Sequence, residues 1–326
     1  MPLPTFRRGV NIRGPLLIHD EVLDATAGEL NALSPAELLG KNVYFVDTAV
    51  TASGVGTSWA TAFKTMAEAA AVLAAGDMIL FRGSILNEAV TITGLAGISI
   101  IGAGSGPNQA LWTSTVADSA CLTLAACPDA LIENIRFRPT AGAGATLTAA
   151  AISLTGASFN VVIRSCRFQG KTGSYHGILS DGAQSNVRVE DCAFFYINTA
   201  TYGTAIKIKA HATLECTGWA IRGNEFHGNL NHIVGTMRSS IIRDNVFSEG
   251  GINPAGAYAL TVLGVDLHGS TIGGNIVTGN FMGGLYHQAC YYGATNDQWA
   301  GNNCVDRSHA TQVDATTGIS KLVPAA

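Results

Sequence analysis

Ile221-Arg-Gly-Asn-Glu-Phe226 and Ile242-Arg-Asp-Asn-Val-Phe247 are two copies of one six-residue phrase, and its recurrence decides the fold. Earlier copies read Ile132-Glu-Asn-Ile-Arg-Phe137, Ile163-Arg-Ser-Cys-Arg-Phe168 and Val189-Glu-Asp-Cys-Ala-Phe194. More worn copies follow as Ile272-Gly-Gly-Asn-Ile-Val277 and Ala300-Gly-Asn-Asn-Cys-Val305. A second phrase precedes each copy, with leading aliphatics at Leu122, Ile152, Ile178, Ile206, Ile233, Leu260 and Leu285. These recur in steps of roughly 25–30 residues, too short for the four strands and 40 or so residues of a propeller blade. Each step instead holds short strands joined by turns, one coil of a β-helix.

Side chains alternate across a strand, so the phrase sorts into faces. Its first position is aliphatic (Ile132, Ile163, Val189, Ile221, Ile242, Ile272) and points inward. The third holds turn formers: Asn134, Ser165, Asp191, Gly223, Asp244, Gly274 and Asn302. The fourth runs Ile135, Cys166, Cys192, Asn224, Asn245, Asn275, Asn303, and the sixth runs from Phe137 to Phe247 and then Val277 and Val305. Coils stack about 4.8 Å apart, so equal positions lie above one another. The spacing predicts a buried ladder of four Asn beside a column of Phe. Stacked Cys166 and Cys192 fall within disulfide range, but their parallel side-chain directions favour a free pair. The second position reads Glu133, Arg164, Glu190, Arg222, Arg243, an outward ladder of alternating charge rather than a catalytic set.

Working back toward the start, Val43 to Val46 reads as a strand and Ser53 to Ser58 as a Gly- and Ser-rich loop. Residues 62–75 read as a helix with Phe63, Met66, Ala70 and Leu73 on one face and Gly76 ending it. Strands follow at 78–81, 90–92 and 98–104. Three phrases here, Tyr44-Phe-Val-Asp47, Gly56-Thr-Ser-Trp-Ala-Thr-Ala-Phe-Lys-Thr-Met66 and Ala75-Gly-Asp-Met-Ile-Leu-Phe-Arg-Gly83, resemble the opening of right-handed parallel β-helix proteins of the pectate-lyase-like superfamily. The resemblance spans residues 42–305. It implies an all-β fold, a single-stranded right-handed parallel β-helix whose open end is capped by the 62–75 helix. Lyases, glycosidases, esterases and viral spikes share that fold, so it implies no single activity.

Bulk properties narrow the classes. The 326 residues carry a net charge of -4 with Lys and Arg scattered singly, which argues against nucleic acid, a partner that needs a basic stripe. No apolar run reaches the 18 residues of a membrane span, and the first residues lack the apolar segment of a secretory signal. Only 13% of residues are charged against 47% hydrophobic, a balance suited to a stacked body partly covered by partner subunits. The seven Cys form no CxxC pair and share no zinc spacing with His, so buried reduced thiols are expected.

No catalytic, cofactor-binding or metal-binding residue is nominated. Glycoside hydrolysis needs two converging carboxylates, whereas adjacent Glu190 and Asp191 point to opposite faces. The resemblance brings polygalacturonase and pectate-lyase motifs to look for; the former are absent, and Asp181, Glu190 and Asp191 are the nearest approach to a calcium-binding acidic group. His176, His211, His227, His232 and His268 are expected at surface turns. The aromatic run from Tyr286 to Tyr292, with Trp299, could stack on sugars but reads better as closing the last coils. Gly102 to Gly106 is a turn without the following helix of a phosphate loop.

Three segments are expected: an extended N-terminal arm at 1–40, the β-helix at 41–310 and a tail at 311–326. Pro2, Pro4 and Pro15 make the arm ill suited to regular pairing, with short helices expected at 24–33 and from Ser34. Its Ala25-Thr-Ala-Gly-Glu-Leu-Asn31 resembles attachment segments of tailed-bacteriophage structural proteins. That likeness implies a non-enzymatic virion component assembled in the host cytoplasm, a capsid decoration or spike protein. It would be a homotrimer, docked on a major capsid or other virion protein through residues 1–40. The alternative expectation is a tailspike that binds or cleaves a host surface glycan.

Overall fold

The computed structural model describes residues 41–305 apart from 84–85, 105, 107–108, 115, 117–118, 140–149, 171–175, 183, 198–202, 210–215, 249–262, 268–272, 284–287 and 292–296, together with 16–18 and 21–23. The chain divides into two compact units, Met1–Asn42 and Val43–Ala326. Within the first, Leu16–Ile18 pairs antiparallel with Glu21–Leu23, Leu16 opposite Leu23. This corrects the expectation of an arm without regular pairing: Pro15 stands just before the first strand, so its missing N–H costs the ladder nothing. The helices expected at 24–33 and from Ser34 lie outside the described residues, as does the tail.

The second unit is a parallel β-helix. Three long sheets of 10, 9 and 8 strands run its length. Every strand in them pairs parallel with its counterpart one coil away, as in Ile132 with Ile163, Ile163 with Val189 and Val189 with Ile221. The 10-stranded sheet carries the first two positions of the phrase and the 9-stranded sheet the last two. The 8-stranded sheet carries the preceding phrase, Leu122, Ile152, Ile178, Ile206 and Ile233 in one inward column.

One helix, α1 (Met66–Val72), covers the end where the sheets begin. Met66, Ala69 and Leu73 join the main core. Thr65 caps α1 in a reciprocal box with Glu68, and Glu88, just before a first-coil strand, accepts from Met66 and Ala67 N–H. The helix is shorter than the 62–75 expected. Phe63 is drawn into a parallel bridge with Val46 instead, and the Asp77 carboxylate ends the helix by accepting from Ala74 N–H.

The corner between the 10- and 9-stranded sheets shows why the phrase repeats. Its third residue turns the chain through left-handed backbone: φ is 57° at Asn134, 53° at Ser165 and Asp191, 65° at Gly223 and 56° at Asp244. Glycine, Asn and Asp enter that region most readily. The fourth residue then faces inward, and the corner leaves a backbone N–H without a sheet partner beside a strand carbonyl that can accept a second bond. Asn serves both. Asn245 Oδ1 accepts from Asn224 N–H at 2.9 Å, and Asn245 Nδ2 donates to Ile221 C=O at 3.0 Å.

The expected ladder of Asn224, Asn245, Asn275 and Asn303 is corrected in its upper half. Its members are Asn224, Asn245, Asn280 and Asn302. The left-handed turns below the last two are Gly279 and Gly301, not Gly274 and Asn302. Ile242 stacks on Val277 rather than Ile272, and Phe247 on Met282 rather than Val277. In the 8-stranded sheet Ile233 stacks on Val265, not Leu260, and Val265 on Cys290, not Leu285. The cause is uneven coil length: successive ladder members lie 21, 35 and 22 residues apart. Asn275 belongs to another ladder at the preceding corner, where its Oδ1 accepts from Ser240 N–H and Asp297 Oδ1 accepts from Asn275 N–H.

Beside the main ladder, Phe137, Phe168, Phe194, Phe226 and Phe247 stack face to face, with centroids 4.5–5.4 Å apart and planes within 13°. Trp112 continues the column below at 5.8 Å. All are buried, so among the described residues the interior is filled with packed side chains.

Candidate functional site

The acidic residues that drew attention in the sequence do not converge. Glu133 and Glu190 face outward on the 10-stranded sheet, where Arg164 Nη2 lies 2.9 Å from Glu133 and Arg222 Nη2 lies 2.7 Å from Glu190. Arg164 is held protonated chiefly by its hydrogen bond to Glu133, with Glu190 adding attraction from the next coil. This is the ion-pair ladder the spacing predicts, each exposed pair worth about 0.2–1 kcal/mol. Asp191 sits in the exposed left-handed corner, its Oδ1 under Gly223, where an added Cβ would meet it at 2.6 Å. Asp181 ends a strand of the 8-stranded sheet and pairs with Lys209 at 2.8 Å. Among the described residues no three His, Cys, Asp or Glu side chains stand together as a metal site, and no helix is long and apolar enough to cross a membrane.

The histidines are not uniformly surface groups. His176 is 5% exposed and His232 fully buried, which corrects the expectation of surface turns for both. His232 lies between the Phe226 and Phe247 rings at 5.6 and 5.4 Å. Burial pushes its pKa down to about 3, so it is neutral, and its Nδ1 accepts from Asn229 Nδ2 at 3.2 Å. His227 is half-buried beside the surface, its Nε2 3.0 Å from the Tyr196 hydroxyl. His211, His268, Tyr286, His287 and Tyr292 lie outside the described residues. Trp299 takes the register position above Val277. Cys166 and Cys192 are buried and free, and burial beside Cys166 pushes the Cys192 thiol well up.

A recess of about 560 Å³ opens on the outer face of the 8-stranded sheet. Alternation within the strands builds it. In Val90–Thr93, Leu122–Ala125 and Ala150–Thr155 the aliphatics point inward, so Thr91, Thr123 and Ser153 form one outward column across three coils. Thr155 and Asp181 are neighbours in a second. Leu179 and Ala120 supply an apolar floor, joined beneath by Ala150 in a small cluster separate from the main core. The recess thus offers hydroxyl groups at the coil repeat, an apolar patch, and one carboxylate at its edge held by Lys209. The sequence carried this signal in the polar alternates of Leu122-Thr-Leu124 and Ile152-Ser-Leu154, phrases read above only for their aliphatics.

No protein-family model matches the chain, and no curated protein sequence matches it. Solved structures do. An alginate lyase from Paenibacillus aligns with a TM-score of 0.50 at 16% identity, over 68% of this chain and 74% of that one. The pectate lyase Pel9A aligns with a TM-score of 0.58 at 13% identity, over 74% of this chain and 63% of that one. The Dettilon tailspike protein aligns over 83% of this chain with a TM-score of 0.33 and 12% identity, a likeness too loose to carry an argument. At these identities the likeness is one of fold, the parallel β-helix.

Proposed function

We propose that this protein is a virion-borne spike of the β-helix type that binds a cell-surface polysaccharide along the outer face of its 8-stranded sheet. The observation that carries this reading is the recess there. Stacked coils repeat hydrogen-bonding groups along one axis, and a polysaccharide is itself a one-dimensional repeat of hydroxyl groups. Sugars also present apolar ring faces, which suit the Leu179 and Ala120 floor. That two fold neighbours are by name lyases of polysaccharides supports the ligand class.

The reading is of binding without cleavage. Hydrolysis needs two carboxylates about 5–10 Å apart. Among the described lining residues Asp181 is the one carboxylate, and it is engaged by Lys209. Residues 1–40 form the attachment arm on a capsid or other virion protein, and residues 41–310 project from it. An exposed apolar strip supports self-assembly into a trimer: Ile241 and Ile276 are neighbours on one sheet, Val246 and Phe281 on the next, each 38–44% exposed.

Two measurements test the proposal. Deleting residues 1–40 is expected to abolish incorporation into particles while leaving the β-helix folded; unchanged incorporation sinks the attachment role. A glycan array followed by product analysis is expected to show binding that Thr123→Val and Asp181→Asn weaken, with no new chain ends. Release of shortened chains would replace binding by catalysis.

A further inference from the structure

A different face carries chemistry that the spike reading does not use. On the 9-stranded sheet, Arg136 and Arg167 are direct cross-coil neighbours pointing outward. Like charges placed opposite each other oppose pairing, and this chain resolves that conflict elsewhere: on the 10-stranded sheet each Arg of the second-position column up to Arg222 stands against a Glu. Here none does. Among the described residues no carboxylate lies within 4 Å of Arg136, Arg167 or nearby Arg138, and the buried Nε of Arg138 has no hydrogen-bond partner. Arg136 donates to the neutral Gln169 amide, and Arg167 lies 5.6 Å over the Phe195 ring. Both guanidinium groups are thereby held in place with no described carboxylate pairing with their charge.

The neighbouring side chains form a pocket around them. Arg167 is followed in its column by Ala193 and then Glu225, so the small Ala leaves a notch between a cation and a carboxylate. Phe195, Tyr196 and His227 wall that notch, and the recess measures about 470 Å³. Tyr196 is the one aromatic residue on left-handed backbone among those described, with φ 54°. A bulky side chain is a genuine outlier there, and strain of this kind gathers at ligand sites. Glycines make room for it in the coils on either side. A Cβ at Gly170 would run into the Tyr196 carbonyl, and one at Gly228 would lie 2.7 Å from its ring. The hydroxyl is fixed by His227 Nε2 at 3.0 Å, and His227 Nδ1 by Ser248 Oγ at 3.1 Å.

We infer that this pocket, formed where Arg136 and Arg167 meet the Phe195–Tyr196 wall and Glu225, binds a carboxylated sugar unit of an acidic polysaccharide. Arginine pairs match a carboxylate in charge and in the planar geometry of their donors. The ring faces of Phe195 and Tyr196 suit the apolar face of a pyranose, and Glu225 with the Tyr196–His227 pair accepts from and donates to its hydroxyl groups. Glu225 disfavours a polyphosphate, whose every unit is anionic, while leaving a sugar with one carboxylate and several hydroxyl groups well matched. The site lies on another sheet from the hydroxyl-lined recess and does not depend on it.

The test titrates the full-length protein calorimetrically with tetragalacturonate, with the neutral galactan tetrasaccharide and with inorganic sulfate. Tetragalacturonate is expected to bind at least about tenfold more tightly than the neutral tetrasaccharide, as for a charge-assisted hydrogen bond gained. Arg136→Gln and Arg167→Gln are each expected to weaken it by about ten- to a hundredfold. Arg188→Gln, which removes an exposed arginine from the 10-stranded sheet, leaves binding unchanged. Arg167 is exposed, so its variant keeps the wild-type melting temperature and separates a binding defect from a folding one. Equal affinity for the neutral sugar, competition by sulfate at equal concentration, wild-type affinity in both arginine variants, or no tetragalacturonate binding at millimolar concentration would each overturn the assignment.

Discussion

Replacing Asn245 by Ala removes a side chain that works in both directions within a buried corner. Asn245 is 1% exposed. Its Oδ1 accepts from Asn224 N–H at 2.9 Å and from Asn224 Nδ2 at 3.0 Å, while its Nδ2 donates to Ile221 C=O and to Asn280 Oδ1. The flanking amides keep other partners: Asn224 Nδ2 still reaches Val189 C=O, and Asn280 Oδ1 still accepts from the backbone of residue 245. The loss therefore falls on one main-chain group, Asn224 N–H, because Ile221 C=O keeps its ladder bond from the strand above. Stranding a buried polar group costs about 1–3 kcal/mol, so Asn245→Ala should destabilise the body by about 1–3 kcal/mol. At about 2 °C per kcal/mol for a chain of this size, the melting temperature should fall by roughly 2–6 °C. Asn245→Cys provides an internal comparison. Cys192 fills the same column one coil below Asn224, with its Sγ 3.6 Å from Ile163 C=O. A thiol at 245 should keep a weak donor to Ile221 C=O and fill more of the corner than Ala, and so should lose less. Guanidinium unfolding and thermal scans measure both variants. If Asn245→Ala melts with the wild type, the corner is not held by its amides and the ladder is decorative.

Two further outcomes follow from the interior. His232 is neutral in the fold with a pKa near 3, well below the ordinary 6.5. Its contribution is fully present above pH 6.5 and is lost as pH falls from 6.5 toward 3, because the unfolded chain binds a proton that the folded chain refuses. That adds a slope of up to about 1.4 kcal/mol per pH unit in that window. His232→Gln should remove this part of the slope, and an unchanged difference between pH 7 and pH 5 contradicts it. Cys121, Cys127, Cys166, Cys192 and Cys216 are free and buried, and burial pushes the thiols of Cys121, Cys192 and Cys216 up. Alkylation followed by mass spectrometry should leave these five unmodified in the native protein and modify them after denaturation. A native Cys166–Cys192 crosslink would contradict the free pair.

The sequence by itself determined the coil. Its inward Ile and Phe, its turn residues and its Glu–Arg alternation follow from the two-residue period of a strand and from stacking like on like. These local rules placed Ile132 to Ile242, Phe137 to Phe247 and the Glu133–Arg222 ladder correctly. The same rules failed at Asn275, because a phrase of Gly, Gly and Asn serves equally well at either corner, and only the parallel register shows which corner it occupies. The antiparallel pair at 16–23 was likewise hidden behind Pro15, whose place just before the strand is the one that pairing tolerates.

The tertiary structure alone decided what the outside can do. Glu190 and Asp191 are neighbours in sequence and are separated by the turn of the corner. Arg136, Arg167, Tyr196, Glu225 and His227 are scattered over four coils, and stacking brings them into one pocket. A strand period assigns each of them to a face, but the distance between coils in sequence, 21 residues in one place and 35 in another, sets which side chains become neighbours on it.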